Sequence, residues 1–238
     1  MNTSSSNTAR KAGSGKEPRS VRRKREIRSR LLKAAFVLMS ERSKDEVTVS
    51  EITEAADVGF GTFYNYFESK DSIFNALLTE VIERSAMLVD ETARGLPDAA
   101  ERLSVGVRNT ILQAQSDPIW GGFLMRTPLD THFLSIGLGK FLKRDLEQGI
   151  ASGRFQIGDL ELALLAISSA VLGILSVEMD RLRADRENEV EPHLQASFRA
   201  GVAENTAAIV LRIVGVSDAD AVACRPLPPL EGFLDLFS

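Results

Sequence analysis

The chain holds a single cysteine, Cys224, and two histidines, His132 and His193. One thiol closes no disulfide within the chain and builds no cysteine-rich zinc site. The two histidines lie far apart with no ligand-like spacing, so neither a metal site nor a cofactor is expected. Strand-like alternation and runs of β-branched residues are missing, which leaves helix as the main element. Internal repeats are absent. The longest stretch without a charge, Leu162 to Val177, is 16 residues, short of the ~20 that a membrane span requires. Acidic residues bracket it at Asp159, Glu161 and Glu178. A helix buried on nearly all sides is expected there, rather than a membrane segment.

Enzyme signatures are missing too. Gly137-Leu138-Gly139-Lys140 is a fragment of a phosphate loop, but the first glycine of that motif is absent. Phe141 also stands where a serine or threonine should follow the lysine. No Gly-x-Ser-x-Gly elbow occurs. Carboxylate pairs such as Glu178 and Asp180 read as solvated faces. No catalytic residue is assigned.

What is present is ordinary for a globular protein of one large or two modest domains: 238 residues, 44% hydrophobic and 26% charged. The net charge of −4 hides an asymmetry. Residues 1–30 carry ten Lys/Arg against two Asp/Glu, +8, and the remainder carries 19 against 31, −12. A basic arm on an acidic body suits a polyanionic partner. The densest cluster is Arg19, Arg22, Arg23, Lys24, Arg25 and Arg28. It runs directly into a helix whose apolar face is Ile27, Leu31, Ala35 and Leu38. The first 19 residues are too poor in large apolar groups to fold and are expected to be disordered. They show no secretory h-region, so the expected location is cytoplasmic.

The most informative stretch is residues 48–70. Val49, Ile52 and Ala56 recur at helical spacing, and Thr48 is placed to cap that helix. Asp57-Val58-Gly59 breaks the pattern. A second helix is expected from Phe60 to Phe67, with Phe63 and Phe67 on a buried face. Its other faces carry Thr62, Tyr64, Asn65 and Tyr66, all able to bond phosphates or base edges. Gly59 and Gly61 let the backbone approach a ligand closely, and Lys70 opens the next helix, where a phosphate is favoured. Two short helices and a tight turn make a helix-turn-helix.

The run Ala56-Asp57-Val58-Gly59-Phe60-Gly61-Thr62-Phe63-Tyr64-Asn65-Tyr66-Phe67-Glu68-Ser69-Lys70 resembles the TetR family of bacterial transcriptional regulators, and the resemblance covers about residues 20–85. Two positions depart from the family pattern: Asp57 stands where a turn glycine is common, and Gly59 replaces the usual serine cap. Phe60 occupies a position that often contacts bases, where an aromatic ring suits a thymine methyl. The resemblance implies an all-α fold with an N-terminal three-helix head and a C-terminal helical bundle for dimerisation and ligand binding. DNA contact is expected from Thr48, Phe60, Gly61, Thr62, Tyr64, Asn65, Tyr66 and Lys70, with Arg22, Arg23 and Arg25 of the basic cluster.

The domains expected are a disordered arm at 1–19, a DNA-binding head at 20–68, a ligand-binding and dimerisation body at 69–215 and a tail at 216–238. In the body, helices are expected from Lys70 to about Gly95, over Leu103 to Ala114, around Ile119 to Arg126, and continuously from Pro128 to Ile150. Asp159 caps the apolar helix, and a last helix runs from Glu191 to about Val214. By the resemblance, these last two pair with their copies in a second subunit. Trp120, Phe123, Met125, His132, Phe133 and Phe141 are candidate lining for an effector pocket, although such residues also serve as core. Few charges lie near them beyond Arg126, His132 and Lys140, so a small hydrophobic effector is expected. The function implied is a dimeric repressor on a palindromic double-stranded operator. An activator of the same family, or a helical carrier or enzyme with an incidental helix-turn-helix, are the alternatives. The tail is expected to fold back on its own domain.

Overall fold

A computed structural model describes residues 18–186 and 201–229. The described residues are helical with no strand. The head comprises α1 (Arg19–Glu41), α2 (Val49–Ala55) and α3 (Phe60–Phe63). A long rod follows: α4 (Lys70–Leu77), a π-helical turn (Leu78–Glu83) and α5 (Arg84–Ala93). The body adds α6 (Ala99–Ser116), α7 (Pro118–Arg126), α8 (Thr131–Ser135), α9 (Gly137–Ala151) and α10 (Leu160–Arg186). Beyond the second gap come α11 (Val202–Ile213) and α12 (Ala219–Ala223). The sequence-based reading of a basic arm lies mostly outside the described residues, as do Leu194, Phe198 and the tail beyond Pro229.

Local chemistry explains where the helices start. Thr48 closes a reciprocal capping box: its Oγ1 accepts from the Glu51 amide at 3.2 Å, and Glu51 Oε2 accepts from the Thr48 amide at 2.8 Å. Ser69 and Ser72 repeat the device at the start of α4. Asp98, Asp117, Asp130 and Asp159 each accept from a backbone amide in the first turn of the helix that follows. Pro118 sits at the first position of α7, where its missing N–H costs nothing.

Two helices are shorter than the spacing suggested. The segment from Pro128 to Ile150 is broken between α8 and α9. Gly137 there takes φ +43°, and a Cβ on it would sit 3.2 Å from the Cα of Glu83. The chain turns at this glycine to pack against the π-turn. The second helix of the helix-turn-helix, α3, ends at Phe63, because Asn65 and Tyr66 donate three residues back, to Thr62 and Phe63. Those tighter bonds make the last turn 3₁₀-like.

Head and body share one hydrophobic core. Leu31, Ala35, Ile52, Phe63 and Phe67 of the head join Ile73, Leu77, Trp120, Phe123 and Leu175. Phe36 of α1 meets Phe123 of α7 edge-on at 5.2 Å. Gly122 lets α1 and α7 close: a Cβ there would lie 2.5 Å from the Ser40 carbonyl oxygen. A second cluster joins α6, α9, α10, α11 and α12, and buries Val216, Ala219 and Val222 of the tail. Up to residue 229 the tail therefore folds onto its own body.

The charge-free helix does not surround itself with its own chain. Leu162, Leu165 and Val177 stay 64%, 41% and 48% exposed, and Ile209 and Ile213 of α11 are also open. Ile167 is fully buried and Leu172 half-buried, both within the chain. The reading of Glu178 as solvated is overturned. It is 2% exposed and accepts from Gln115 Nε2 at 2.8 Å, while Asp180 is exposed.

Candidate nucleic-acid interface and cavity

The turn between α2 and α3 is set by one backbone angle. Asp57 takes φ 51°, the left-handed region that a glycine would occupy without strain. Arg30 of α1 clamps it, donating to the Asp57 carbonyl at 2.7 Å and to its carboxylate at 3.0 Å. The Val58 amide donates to the Thr53 carbonyl and closes the turn. Gly59 then enters α3 in extended conformation, without a side-chain cap.

The structure sorts the expected contact residues into two sets. Thr48, Phe60, Gly61, Tyr64 and Asn65 are exposed, as are Arg22, Arg23 and Arg25 on the first turns of α1. Arg22 pairs with Glu26 at 2.8 Å. Thr62 is half-buried, and Tyr66 is half-buried against the core. Lys70 is the clearest departure. Its Nζ donates to the Asp45 carbonyl at 3.0 Å and the Val47 carbonyl at 2.8 Å, so two of its three protons fasten the α1–α2 loop. Thr48 is engaged in its cap as well. Arg28, in the basic cluster, turns inward: it bonds Glu80 through both terminal nitrogens, at 3.0 and 2.5 Å, and lies over the Phe67 ring. The Glu80 hydrogen bonds raise the Arg28 pKa.

Electrostatics reinforce the head's frame. The Thr48 hydroxyl, the Thr48 amide and Arg42 together hold the Glu51 carboxyl down at about 2. Lys44 bonds Asp71 at 2.7 Å, joining the α1–α2 loop to α4 and lowering the Asp71 pKa.

The body holds a cavity of about 100 Å³ between α5, α6, α8, α9 and α10. Its walls are mainly apolar, with Val89, Leu103, Val107, Leu142, Ile167 and Val171 among them. Of the six pocket candidates, Phe133 and Phe141 line it. Trp120 and Phe123 do not. They are 0% and 1% exposed and fill the junction of α1, α4 and α7. Met125 packs half-buried beside them, and His132 points to solvent. Aromatic residues at helical spacing proved mostly to be core.

The polar wall was not anticipated. Asp90 and Asp145 line the cavity and are 8% and 7% exposed. Arg144 bridges them, Nη1 donating to Asp90 at 2.6 Å and Nη2 to Asp145 at 2.8 Å. Arg102, also lining, donates from Nε to Asp145 at 3.3 Å. Burial alone would lower the Arg144 pKa, but the two carboxylates raise it above its ordinary value. The Arg144 guanidinium also lies 5.1 Å over the Phe141 ring. A signal existed in the sequence: Asp90 interrupts the stripe Ala86, Val89, Ala93, all buried in α5. A charge on an apolar stripe requires a buried partner.

Comparison with known proteins decides the class. Residues 98–225 match the domain described as "Tetracyclin repressor-like, C-terminal domain", and residues 31–77 match "Bacterial regulatory proteins, tetR family". The chain belongs to the TetR family. It is a helix-turn-helix transcriptional regulator of that family, and its relatives are regulators, not enzymes. The crystal structure of RolR in complex with the ligand resorcinol is 32% identical, with TM-score 0.65 over 88% of this chain and 99% of that one. The uncharacterized regulator YdgC of Bacillus subtilis is 29% identical over 63% of this chain and 77% of its own length. The repressor KstR of Rhodococcus jostii is 31% identical over 50% of this chain and 57% of its own.

Proposed function

We propose that this TetR-family chain is a cytoplasmic homodimeric repressor that leaves a palindromic operator when a small, largely apolar ligand enters the cavity. One observation carries the reading: the cavity and the head are attached to the same rod. Ala86, Val89, Asp90 and Ala93 of α5 form one wall of the cavity. Through the π-turn, which Arg28–Glu80 ties to α1, α5 continues into α4, which Lys44–Asp71 ties to the head. Gly137, next to the lining residues Leu138 and Gly139, packs on the π-turn at Glu83. A ligand that prefers one placement of this rod shifts the spacing of the two heads by its differential affinity. Operator binding needs the recognition helices about 34–36 Å apart, or a multiple of that.

Dimerisation rests on the apolar surface that α10 and α11 leave open. Exposed aliphatic side chains on two helices that pack together suit a second copy of the chain. At about 100 Å³ the cavity is smaller than the ~150 Å³ that holds a benzene ring, so the ligand is at most a single ring and the walls yield to admit it. A single ring with one or two hydroxyls fits both the apolar walls and the Asp90–Arg144–Asp145 edge. RolR, whose structure holds resorcinol, is a relative of that chemistry. The repressor sign draws on relatives named as repressors.

The test is a thermal-shift screen of single-ring phenols, aromatic acids, fatty acids and sugar phosphates. Hits then pass to release of a fluorescent operator selected from random DNA. Phenols that both raise the melting temperature and release DNA support the reading, because linkage between two sites is reciprocal. Release only by phosphates would sink the assigned ligand class. Release by nothing, with operator binding intact, would sink the ligand response.

A further inference from the structure

Phe60 is a large apolar side chain that the fold leaves outside. It is the first residue of α3 and is 55% exposed. Its ring meets that of Tyr64, edge-on at 5.7 Å, itself 52% exposed. Tyr64 in turn stands edge-on to the fully buried Phe63 at 5.3 Å, and Phe63 leans on Phe67 at 5.7 Å. A column of four rings thus runs from the core of the head to its surface, and Phe60 is its tip.

The flanking glycines add a second, independent observation. A Cβ at Gly61 would meet nothing within 4 Å, and one at Gly59 would meet only Thr62 Oγ1 at 3.7 Å. Gly59 has φ −65°, and Gly61 likewise avoids the left-handed region. Neither packing within the chain nor backbone conformation requires glycine at these positions. Bare backbone on both sides of an outward ring is what close approach by another molecule needs. Arg30 of α1 is bonded to Asp57, three residues before the ring, which fastens the ring's turn to the helix that carries Arg22, Arg23 and Arg25.

We propose that Phe60 is a specificity-determining residue that reads a thymine 5-methyl group in each operator half-site. Tyr64 is its positioning residue rather than a phosphate ligand. The inference rests on the DNA-binding reading above. In the major groove the thymine methyl is the apolar feature of the base edges, so it matches an aromatic tip without hydrogen-bonding atoms. The Tyr64 ring, not its hydroxyl, makes the contacts that hold Phe60 upright.

The experiment uses an operator selected from a random pool by the full chain. Each thymine is replaced in turn by deoxyuridine, which removes the 5-methyl group alone. Wild type should lose about fourfold in affinity per half-site at one thymine position, the value of one buried methyl-sized group. The Phe60→Ala protein should bind thymine and uracil duplexes equally. Tyr64→Phe should keep the full discrimination, and Tyr64→Ala should lose part of it. Both Phe60 and Tyr64 are exposed, and melting curves confirm that the variants fold. Tight wild-type binding with no uracil penalty anywhere overturns the assignment, while leaving the DNA-binding reading intact. Discrimination that survives in Phe60→Ala overturns it too, as does a uniform loss for that variant on every sequence. A wild type that selects no sequence from the pool overturns both readings together.

Discussion

The head and the body differ in what they leave open to solvent. The head buries its aliphatic groups, Val21 near the start of α1 excepted, and shows aromatic, hydroxyl and amide groups at Phe60, Tyr64 and Asn65. The body shows aliphatic groups at Leu162, Leu165, Ile209 and Ile213, and hides its charges around a cavity. Each open surface matches a different occupant. A polar, stacked-ring surface suits groove edges and sugar–phosphate, whereas an aliphatic face suits another aliphatic face. The body's hidden charges suit neither, and they are where a small ligand is read. The two regions meet in one core, so a change in either is felt at the junction.

The most damaging way to break this division is to charge the aliphatic face. Leu162→Glu combined with Ile209→Glu should give a folded monomer, because both side chains are open in the single chain. Light scattering should show half the wild-type mass. Operator affinity should fall on the order of 100-fold as the two heads lose their linkage. Ile167→Glu is the contrast: it lines the cavity and is 1% exposed, so it should unfold the body instead. A double variant that stays dimeric would move the interface elsewhere.

This contrast also shows what could be read in advance. In the head and at the start of the rod, the helix caps find partners close by in sequence, as in the Thr48–Glu51 and Ser69–Ser72 boxes, while the ties between helices, such as Arg30–Asp57, are longer in range. Local rules therefore placed its helix starts and its turn. In the body, Arg108 bonds Glu204, 96 residues away, and Arg102 bonds Asp145, 43 residues away. No local pattern names such partners: the break that Asp90 makes in the apolar stripe of α5 signals a buried charge but does not point to Arg144 or Asp145. Where local spacing did mislead, tertiary contact explains it. Phe63 and Phe67 share a buried face, but the helix tightens after Phe63. Lys70 begins a helix, yet its ammonium is drawn to the carbonyls of Asp45 and Val47.

The shared core can be tested at its tightest point. Gly122→Ala puts a methyl 2.5 Å from the Ser40 carbonyl oxygen, a backbone atom with little room to move. Overpacking of this kind costs about 1–3 kcal/mol. Chemical denaturation should show that loss, and protease cleavage should become easier near the α1–α7 contact. If stability is unchanged, head and body are less tightly joined than their common core indicates.

The Arg28–Glu80 pair is a milder probe of the same junction. Both side chains are 40% exposed, so solvent screening limits the pair to about 0.5–1 kcal/mol. A double-mutant cycle with Arg28→Ala and Glu80→Ala should return a coupling of that size. The more telling readout is ligand response. Loosening the tie between α1 and the rod should make each bound ligand release less operator, with ligand affinity nearly unchanged. Full release in the double variant would assign the coupling to the other ties, Lys44–Asp71 among them.

The smallest effect belongs to Glu51, and its sign can be derived. The capping box and Arg42 lower its carboxyl from 4.5 to about 2. A depressed carboxylate stabilises the fold above its unfolded value and loses that contribution as pH falls through the folded value. The contribution of Glu51 is therefore complete above about pH 4.5 and fades between there and about pH 2. Glu51→Gln cannot carry the charge at any pH. The stability gap between wild type and Glu51→Gln should thus be level from pH 7 to 5 and then narrow steadily in acid. Taking the difference between the two proteins cancels the other acid-sensitive groups of the head, such as Asp71. Chemical denaturation at half-unit pH steps measures it. A gap that stays level down to pH 2.5 would mean that the Glu51 charge contributes nothing to the cap, leaving the Thr48 hydroxyl and the neutral hydrogen bonds to hold α2.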